Sequence, residues 1–251
     1  MTDILRYHWV YLLVAAPFVG SFLGVVALRL PVGRSIVRPR SACPACGHRL
    51  AARDLVPIVS WAVNRAMCRQ CGAPVSWVYP AFELAALGIA GWSLAVTPGW
   101  LAWATSGLGW SLLTLAAIDA RHLILPDEIT LPLVPAGLAV AWAVDPGRLG
   151  DHAIGAVAGF AFVALVRWAY GRLRGREGIG LGDAKLFAAA GAWVGWQGLP
   201  SVLLLAAGAA LATHLAAAAL TRRSLRGREL SFGPFIAAGL WLVWLYGSIT
   251  I

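Results

Sequence analysis

Two aspartates stand at the ends of long apolar segments, where a carboxylate is costly unless it pairs, titrates or takes part in a reaction. Asp183 follows a stretch with three glycines, Gly178-Ile179-Gly180-Leu181-Gly182, and opens an apolar run. Asp119 closes another apolar run. Two carboxylates in one partly desolvated space do not readily ionise together, so one keeps its proton while the other takes a proton from water. Such a pair supplies the general acid and base of an aspartic peptidase.

Simpler roles compete with catalysis for these aspartates. Either one fits a helix cap or an ion pair, and Arg121 stands two residues after Asp119. Asp127 is an alternative for the first catalytic position, although its place before a helical run makes it the better N-cap candidate. The glycines before Asp183 favour a functional role there, because they would let a substrate backbone approach.

Two further polar residues lie within apolar sequence. Glu83 follows Tyr79-Pro80, and a structural ion pair with an arginine such as Arg29 is its favoured role. His214 is isolated in an apolar run, and no serine occupies a nucleophile elbow, so a serine-type triad is not supported. We expect His214 to be a packed, hydrogen-bonded histidine.

All four cysteines fall in two CxxC turns, Cys43-Pro44-Ala45-Cys46-Gly47 and Cys68-Arg69-Gln70-Cys71-Gly72. Two tight turns of this kind present four thiolates tetrahedrally to Zn²⁺. Two disulfides or four free thiols are the alternatives, and disulfides fit poorly with a cytosolic loop. Four sulfur ligands leave no open coordination position, so the sequence predicts a structural zinc and not a catalytic one.

The composition indicates that these residues are positioned by a membrane protein. Of 251 residues, 60% are hydrophobic and 12% are charged, with a mean hydropathy of +0.75. The pattern predicts an all-α polytopic protein with about eight transmembrane helices. The predicted spans are 9–29, 78–97, 100–118, 124–144, 152–170, 183–198, 200–220 and 232–250.

The arginines predict how these spans are oriented. With the N-terminus outside, fifteen arginines fall in the cytosolic connectors, whereas only Arg6 and Arg148 fall outside. The first span is longer than the apolar core of a signal peptide and is expected to be retained. The net charge of +9 therefore points to anionic inner-leaflet lipids and not to nucleic acid.

One connector is too long to be a turn. Residues 31–77 hold every cysteine and little periodicity, which predicts a small cytosolic zinc-binding loop domain between the first two helices. The expected organisation is a first transmembrane helix at 1–30, this loop domain at 31–77, and a seven-helix membrane domain at 78–251.

Several motifs together resemble one known family. They are Gly20-Ser21-Phe22-Leu23-Gly24, the two cysteine turns followed by Tyr79-Pro80 and Glu83, Asp119 with Leu125-Pro126-Asp127, Gly180-Leu181-Gly182-Asp183-Ala184-Lys185, and Phe232-Gly233-Pro234-Phe235. On these the chain resembles the bacterial type IV prepilin leader peptidases, which are GxGD membrane aspartic peptidases. The resemblance implies Asp119 and Asp183 as the catalytic pair, with Asp127, Gly180, Gly182 and Lys185 as accompanying residues.

The resemblance also implies a reaction. The basic leader of type IV prepilins or pseudopilins would be cleaved after a glycine at the cytosolic face of the bacterial inner membrane, with water as the nucleophile. Many members also methylate the new N-terminus with S-adenosylmethionine. This chain departs from the family pattern at Gly24 and at Ala66-Met67, in the region linked to methylation.

Two other functions fit parts of the sequence. An ion-coupled transporter would use Asp119, Asp127 and Asp183 as a proton relay. A zinc-containing assembly factor of a pilus or type II secretion system would use the cysteines and leave the aspartates without a reaction. Cleavage of a model prepilin separates both from the peptidase.

Overall fold

The computed structural model describes residues 7–36, 41–175, 180–221 and 231–249. Its helices are α1 His8–Arg29, α2 Val59–Val63, α3 Val78–Val96, α4 Leu101–His122, α5 Asp127–Val144, α6 Leu149–Arg174, α7 Leu181–Thr221 and α8 Gly233–Tyr246. Within these residues there is no strand, only two isolated bridges, Ala42 with Arg49 and Met67 with Pro74. Gly178 and eight of the seventeen arginines used for orientation lie outside the described residues: Arg6, Arg38, Arg40, Arg176, Arg222, Arg223, Arg226 and Arg228.

The predicted fold class is confirmed. Six of the described helices are long and apolar enough to cross a membrane, and α8, with 14 residues, is a shorter apolar helix. A helix of 41 residues, α7, is bent within its length and covers two of the predicted spans. The cysteine loop lies between α1 and α3, as expected.

The predicted spans 183–198 and 200–220 place a break at residue 199, and this prediction is wrong by about one helical turn. The structure places it at Gly195, whose φ of 71° and ψ of 172° interrupt the helix. A glycine adopts this conformation without strain, whereas Pro200 stays within the helix. Proline near the start of a helical segment has little preceding helix to clash with, so it does not end the segment.

The chain divides into two compact units, residues 1–110 and 111–251. In the first unit α1 packs against α3 at very short range. A Cβ on Gly20 would lie 2.6 Å from the carbonyl oxygen of Phe82 and 2.7 Å from the Cα of Glu83. Only glycine permits this approach. The division at residues 30 and 77 drawn from the sequence stays a prediction.

In the second unit α5, α6 and α8 pack against α7. The contact with α6 is backbone to backbone, since a Cβ on Gly191 would lie 2.0 Å from the carbonyl oxygen of Gly155. The indole N–H of Trp193 donates to the carbonyl of Leu133 on α5 at 2.9 Å, inside the core. These contacts fix the first half of α7, which carries Asp183 near its start.

Candidate active site

Asp119 lies in the second unit, near the end of α4, and only 5% of it is exposed. Its Oδ2 accepts two hydrogen bonds, from the Ser231 hydroxyl at 2.5 Å and from the Gly233 N–H at 3.0 Å. A Cβ on Gly233 would come within 2.7 Å of the same oxygen. The start of α8 therefore holds the carboxylate, and glycine is needed for the approach.

Asp183 is the third residue of α7. Its Oδ2 accepts a hydrogen bond from the N–H of Gly180 at 3.3 Å, so the side chain turns back over the start of the helix. A helix cap was one of the roles that the sequence allowed for Asp183, and this hydrogen bond is such a capping contact. Its carboxylate also lies within electrostatic reach of the Asp119 carboxylate. The structure thus brings together two acids that are 64 residues apart in the chain.

Leu125 explains how the segments around the two aspartates meet. A Cβ on Gly182 would lie 2.9 Å from the Cβ of Leu125, and a Cβ on Gly233 would lie 3.1 Å from its Cδ2. The Leu125 side chain, which is buried, therefore contacts the residue before Asp183 and the residue that binds Asp119. Leu125, in the connector between α4 and α5, therefore lies between the first turn of α7 and the first residue of α8 and sets the distance between them.

Asp127 and Lys185 form an ion pair in the same unit. Lys185 Nζ lies 2.6 and 2.7 Å from the two carboxylate oxygens of Asp127. The N-cap role suggested for Asp127 is not observed: α5 begins at Asp127, Pro126 occupies the cap position, and no side chain caps the helix. The pair instead joins the first turn of α5 to the first turn of α7, two residues beyond Asp183.

The cysteines form the second notable centre, in the first unit. Their four sulfur atoms all lie within 4.8 Å of one another, and Cys43 Sγ is 3.7 Å from Cys71 Sγ. A tetrahedron with Zn–S bonds of about 2.3 Å has edges of about 3.8 Å. All four are free cysteines, so the disulfide alternative is not observed. The donor set fits zinc.

The two cysteine turns are built alike. Gly47 N–H donates to Cys43 O and Gly72 N–H donates to Cys68 O, each at 2.9 Å, and both glycines have φ of 70°. Hydrogen bonds from the N–H groups of Cys46 and then Ala45 lower the pKa of Cys43 to about 6. Backbone donors of this kind favour the thiolate that a metal ion requires.

Glu83 is buried in the first unit, 5% exposed, and its Oε2 accepts the N–H of Ile58 at 2.6 Å. The loop is thereby fastened to α3. A cavity of about 290 Å³ lies beside this contact, and Arg29, Trp61, Tyr79 and Glu83 are among the residues that line it.

The comparisons with known proteins agree with this architecture. The model of the bacterial peptidase A24 N-terminal domain matches residues 14–96, and that of the type IV leader peptidase family matches residues 106–215. A prepilin leader peptidase/N-methyltransferase of Burkholderia pseudomallei (strain 1026b) is 42% identical over 88% of this chain and 80% of its own length. The chain belongs to the type IV leader peptidase family. The family predicted from the motifs is confirmed.

Other relatives carry the same printed name. The Aeromonas hydrophila protein is 38% identical over 96% of this chain and 93% of its own length. The Pseudomonas aeruginosa protein is 35% identical over 92% of this chain and 87% of its own length. No solved structure matches the chain.

Sequence reasoning missed one residue of the candidate site, Ser231. It stands directly before the motif Phe232-Gly233-Pro234, and its hydroxyl is the closest described donor to Asp119. The available signal was a hydroxyl at the start of an apolar helix. Serine is common at such positions as a cap, so the sequence alone did not connect it with an acid on α4.

Proposed function

We propose that this protein is a membrane aspartic endopeptidase that cleaves the leader of type IV prepilins or pseudopilins after a glycine, with Asp119 and Asp183 as the catalytic pair. The observation that carries the proposal is the meeting of these two carboxylates at the ends of apolar helices. Asp119 is buried and held by two donors, and Asp183 lies within electrostatic reach of it. A buried acid in a membrane helix that has an acid for a neighbour is the arrangement expected of a reactive centre.

The pair would act on water and on the scissile peptide. The ionised carboxylate removes a proton from water as the water attacks the carbonyl carbon, and the protonated carboxylic acid gives its proton to the leaving amine as the C–N bond breaks. Water is the nucleophile, so no covalent acyl-enzyme forms. The substrate of this reaction is the leader and first helix of the prepilin.

Neighbouring groups would position the pair. Ser231 and the Gly233 N–H fix one oxygen of Asp119, which limits rotation of its carboxylate. The ion pair of Asp127 and Lys185 fixes the first turn of α7 relative to α5. Gly180 donates to Asp183, and Gly182 admits Leu125 beneath it.

We further propose that the four cysteines hold a structural zinc ion. Support comes from the sulfur spacing and from the two equivalent turns, which leave no ligand position for water. The metal would stabilise the loop, and no step of cleavage involves it.

Methyl transfer to the new N-terminus is the second proposed activity, because the relatives are named for it and the first unit contains a lined cavity. Trp61 and Tyr79 offer aromatic faces to a sulfonium cation, and Arg29 offers a partner for a carboxylate, so the lining fits S-adenosylmethionine. When bound, this cofactor would supply the methyl group. Glu83, held by Ile58, would keep the cavity wall in place.

The proposed setting is the bacterial inner membrane, with the N-terminus outside and the cysteine loop in the cytosol. The uneven distribution of arginines supports this orientation. Anionic lipids of the inner leaflet would contact the arginine-rich connectors.

The deciding experiment is leader cleavage of a model prepilin in membranes, read by mass with and without S-adenosylmethionine. We expect Asp119→Asn and Asp183→Asn each to reduce cleavage at least about 10²- to 10⁴-fold, the range of acid–base catalysis. Asp145→Asn is the matched control, because Asp145 bonds the Gly147 N–H in a connector away from the pair. Normal processing by either site variant would exclude that aspartate from catalysis and favour the transporter or assembly-factor function.

A further inference from the structure

The cysteine loop exposes an unusual number of apolar side chains in one stretch, residues 55–63. Leu55 is 44% exposed, Val56 40%, Val59 56% and Val63 67%. Apolar side chains grouped in this way on a water-facing loop would leave a patch of the kind that marks an interaction surface. The question is which partner covers it.

The depth of this stretch is set by a contact with a membrane helix. Ile58 N–H binds Glu83 Oε2 at 2.6 Å, and Glu83 lies five residues beyond the start of α3. At 1.5 Å per residue this is about 7.5 Å along the helix, and side chains tilt back towards the helix N-terminus. The backbone at Ile58 therefore lies beside the first turns of a predicted membrane span and not above them.

The opposite side of the stretch faces the protein. Ser60, Trp61 and Asn64 line the cavity together with Ser21, Val25 and Arg29 of α1. Leu55 also lines this cavity, whereas Val56, Val59 and Val63 do not and are exposed. Val25 and Ser21 lie four and eight residues before the end of α1, which again places the stretch alongside helix ends.

Arginines flank the aliphatic side chains. Arg53 and Arg65, one at each side of residues 55–63, are both exposed. An aliphatic face bordered by cations at this depth matches a bilayer surface with anionic headgroups, where the aliphatic groups enter the acyl boundary and the guanidinium groups reach phosphates.

We propose that residues 55–63 form an interfacial membrane segment, with Val59 and Val63 in contact with lipid. The segment would anchor the cysteine loop at the membrane surface, while the two cysteine turns remain in water. The inference goes beyond the proposed function, since it requires neither peptide cleavage nor methyl transfer.

The test uses the full-length protein in nanodiscs of defined phospholipids, with a genetically encoded fluorescent amino acid at Val59, Val63 or, as control, the exposed Gln70 of the second cysteine turn. Quenchers at fixed depths on lipid chains should place the probes at 59 and 63 about 5–10 Å below the headgroup surface. The probe at 70 should respond to aqueous iodide instead. Equal iodide quenching at all three positions would overturn the proposal.

A measurement on the unaltered protein guards against misfolded variants. Photoactivatable lipids should label residues 55–63 and also Val14, which is 60% exposed on α1, while residues 44–49 stay unlabelled. Labelling of α1 without labelling of 55–63 would contradict the proposal. Protection of 55–63 that arises only after a second protein is added would show a protein partner and would equally contradict it.

Discussion

The cysteine centre and the aspartate site differ in how they are assembled. Each cysteine turn is completed by backbone hydrogen bonds within a few residues, and both turns lie within residues 41–74. The aspartate site draws on three helix ends, with Asp119 and Gly233 separated by more than a hundred residues. A local centre of this kind would depend on a bound ion, whereas a site built from distant segments depends on the packing of the whole unit.

The largest difference between the two centres is expected when the proposed zinc ligands are replaced. Cys43→Ser with Cys46→Ser should abolish zinc binding and make the loop protease-sensitive, because structural zinc contributes about 10 kcal/mol or more to small domains. Leader cleavage should fall far less than in Asp119→Asn. Metal content and limited proteolysis are the measurements.

His48→Ala is the control for the cysteine variant. His48 is exposed in the first turn and is not one of the four clustered ligands. Its replacement should leave the zinc content unchanged. Full zinc occupancy in the double serine variant would refute the four-cysteine centre.

A smaller effect is expected where one donor is removed from the assembled site. Ser231→Ala should lower kcat for cleavage about 10- to 100-fold with little change in KM, since a hydrogen bond to a charged group contributes about 1.5–3 kcal/mol. Ser231→Thr, which keeps the hydroxyl, should recover most of the rate. Steady-state kinetics on a prepilin peptide in detergent or nanodiscs provides the readout.

Ser201→Ala is the matched control for this loss of a serine in the same unit. Ser201 is 5% exposed, and its hydroxyl accepts the N–H of Ile249 away from Asp119. It should affect thermal stability more than kcat. If the two alanine variants lower kcat equally, Ser231 has no specific role in positioning Asp119.

The smallest effect is expected at the partly exposed ion pair. Asp127→Asn or Lys185→Gln should change kcat only a few-fold, because such pairs contribute about 0.2–1 kcal/mol. The double variant should be no worse than either single one, since both remove the same interaction. Additive losses in the double variant would mean that each residue acts separately. The control is Arg148→Gln, which removes another exposed ion pair.

The local centre was predictable and the assembled one only in part. Cysteine spacing alone gave the cluster, because the turns depend on neighbouring residues. The lengths of the apolar runs predicted the helices. The break within α7 was predicted next to Pro200, which is a more conspicuous signal in the sequence, and the structure places it at Gly195. Asp119 and Asp183 were identified as candidates by their positions at the ends of apolar runs, and the family motifs agreed. Their proximity depends on how Leu125 packs between two helix starts, which no local pattern encodes.

The partner choices of individual side chains were the least predictable. Asp127 looked like a cap and binds Lys185, and Ser231 gave no sign that it would reach Asp119. Glu83 accepts the N–H of Ile58, a contact that the sequence did not indicate. In each case several partners are chemically equivalent, and only the tertiary arrangement selects one.

Lys185 is the only lysine in the chain, and its ammonium group lies against both oxygens of Asp127. An amine-reactive reagent therefore finds a single side-chain target, two residues from Asp183, and any reaction at the N-terminal amine appears on a different peptide. Access to the ammonium group is restricted while it lies against the carboxylate of Asp127, so the paired form reacts slowly. The rate at which Lys185 is labelled would therefore report how often the pair with Asp127 opens at the start of α7, the helix that carries Asp183.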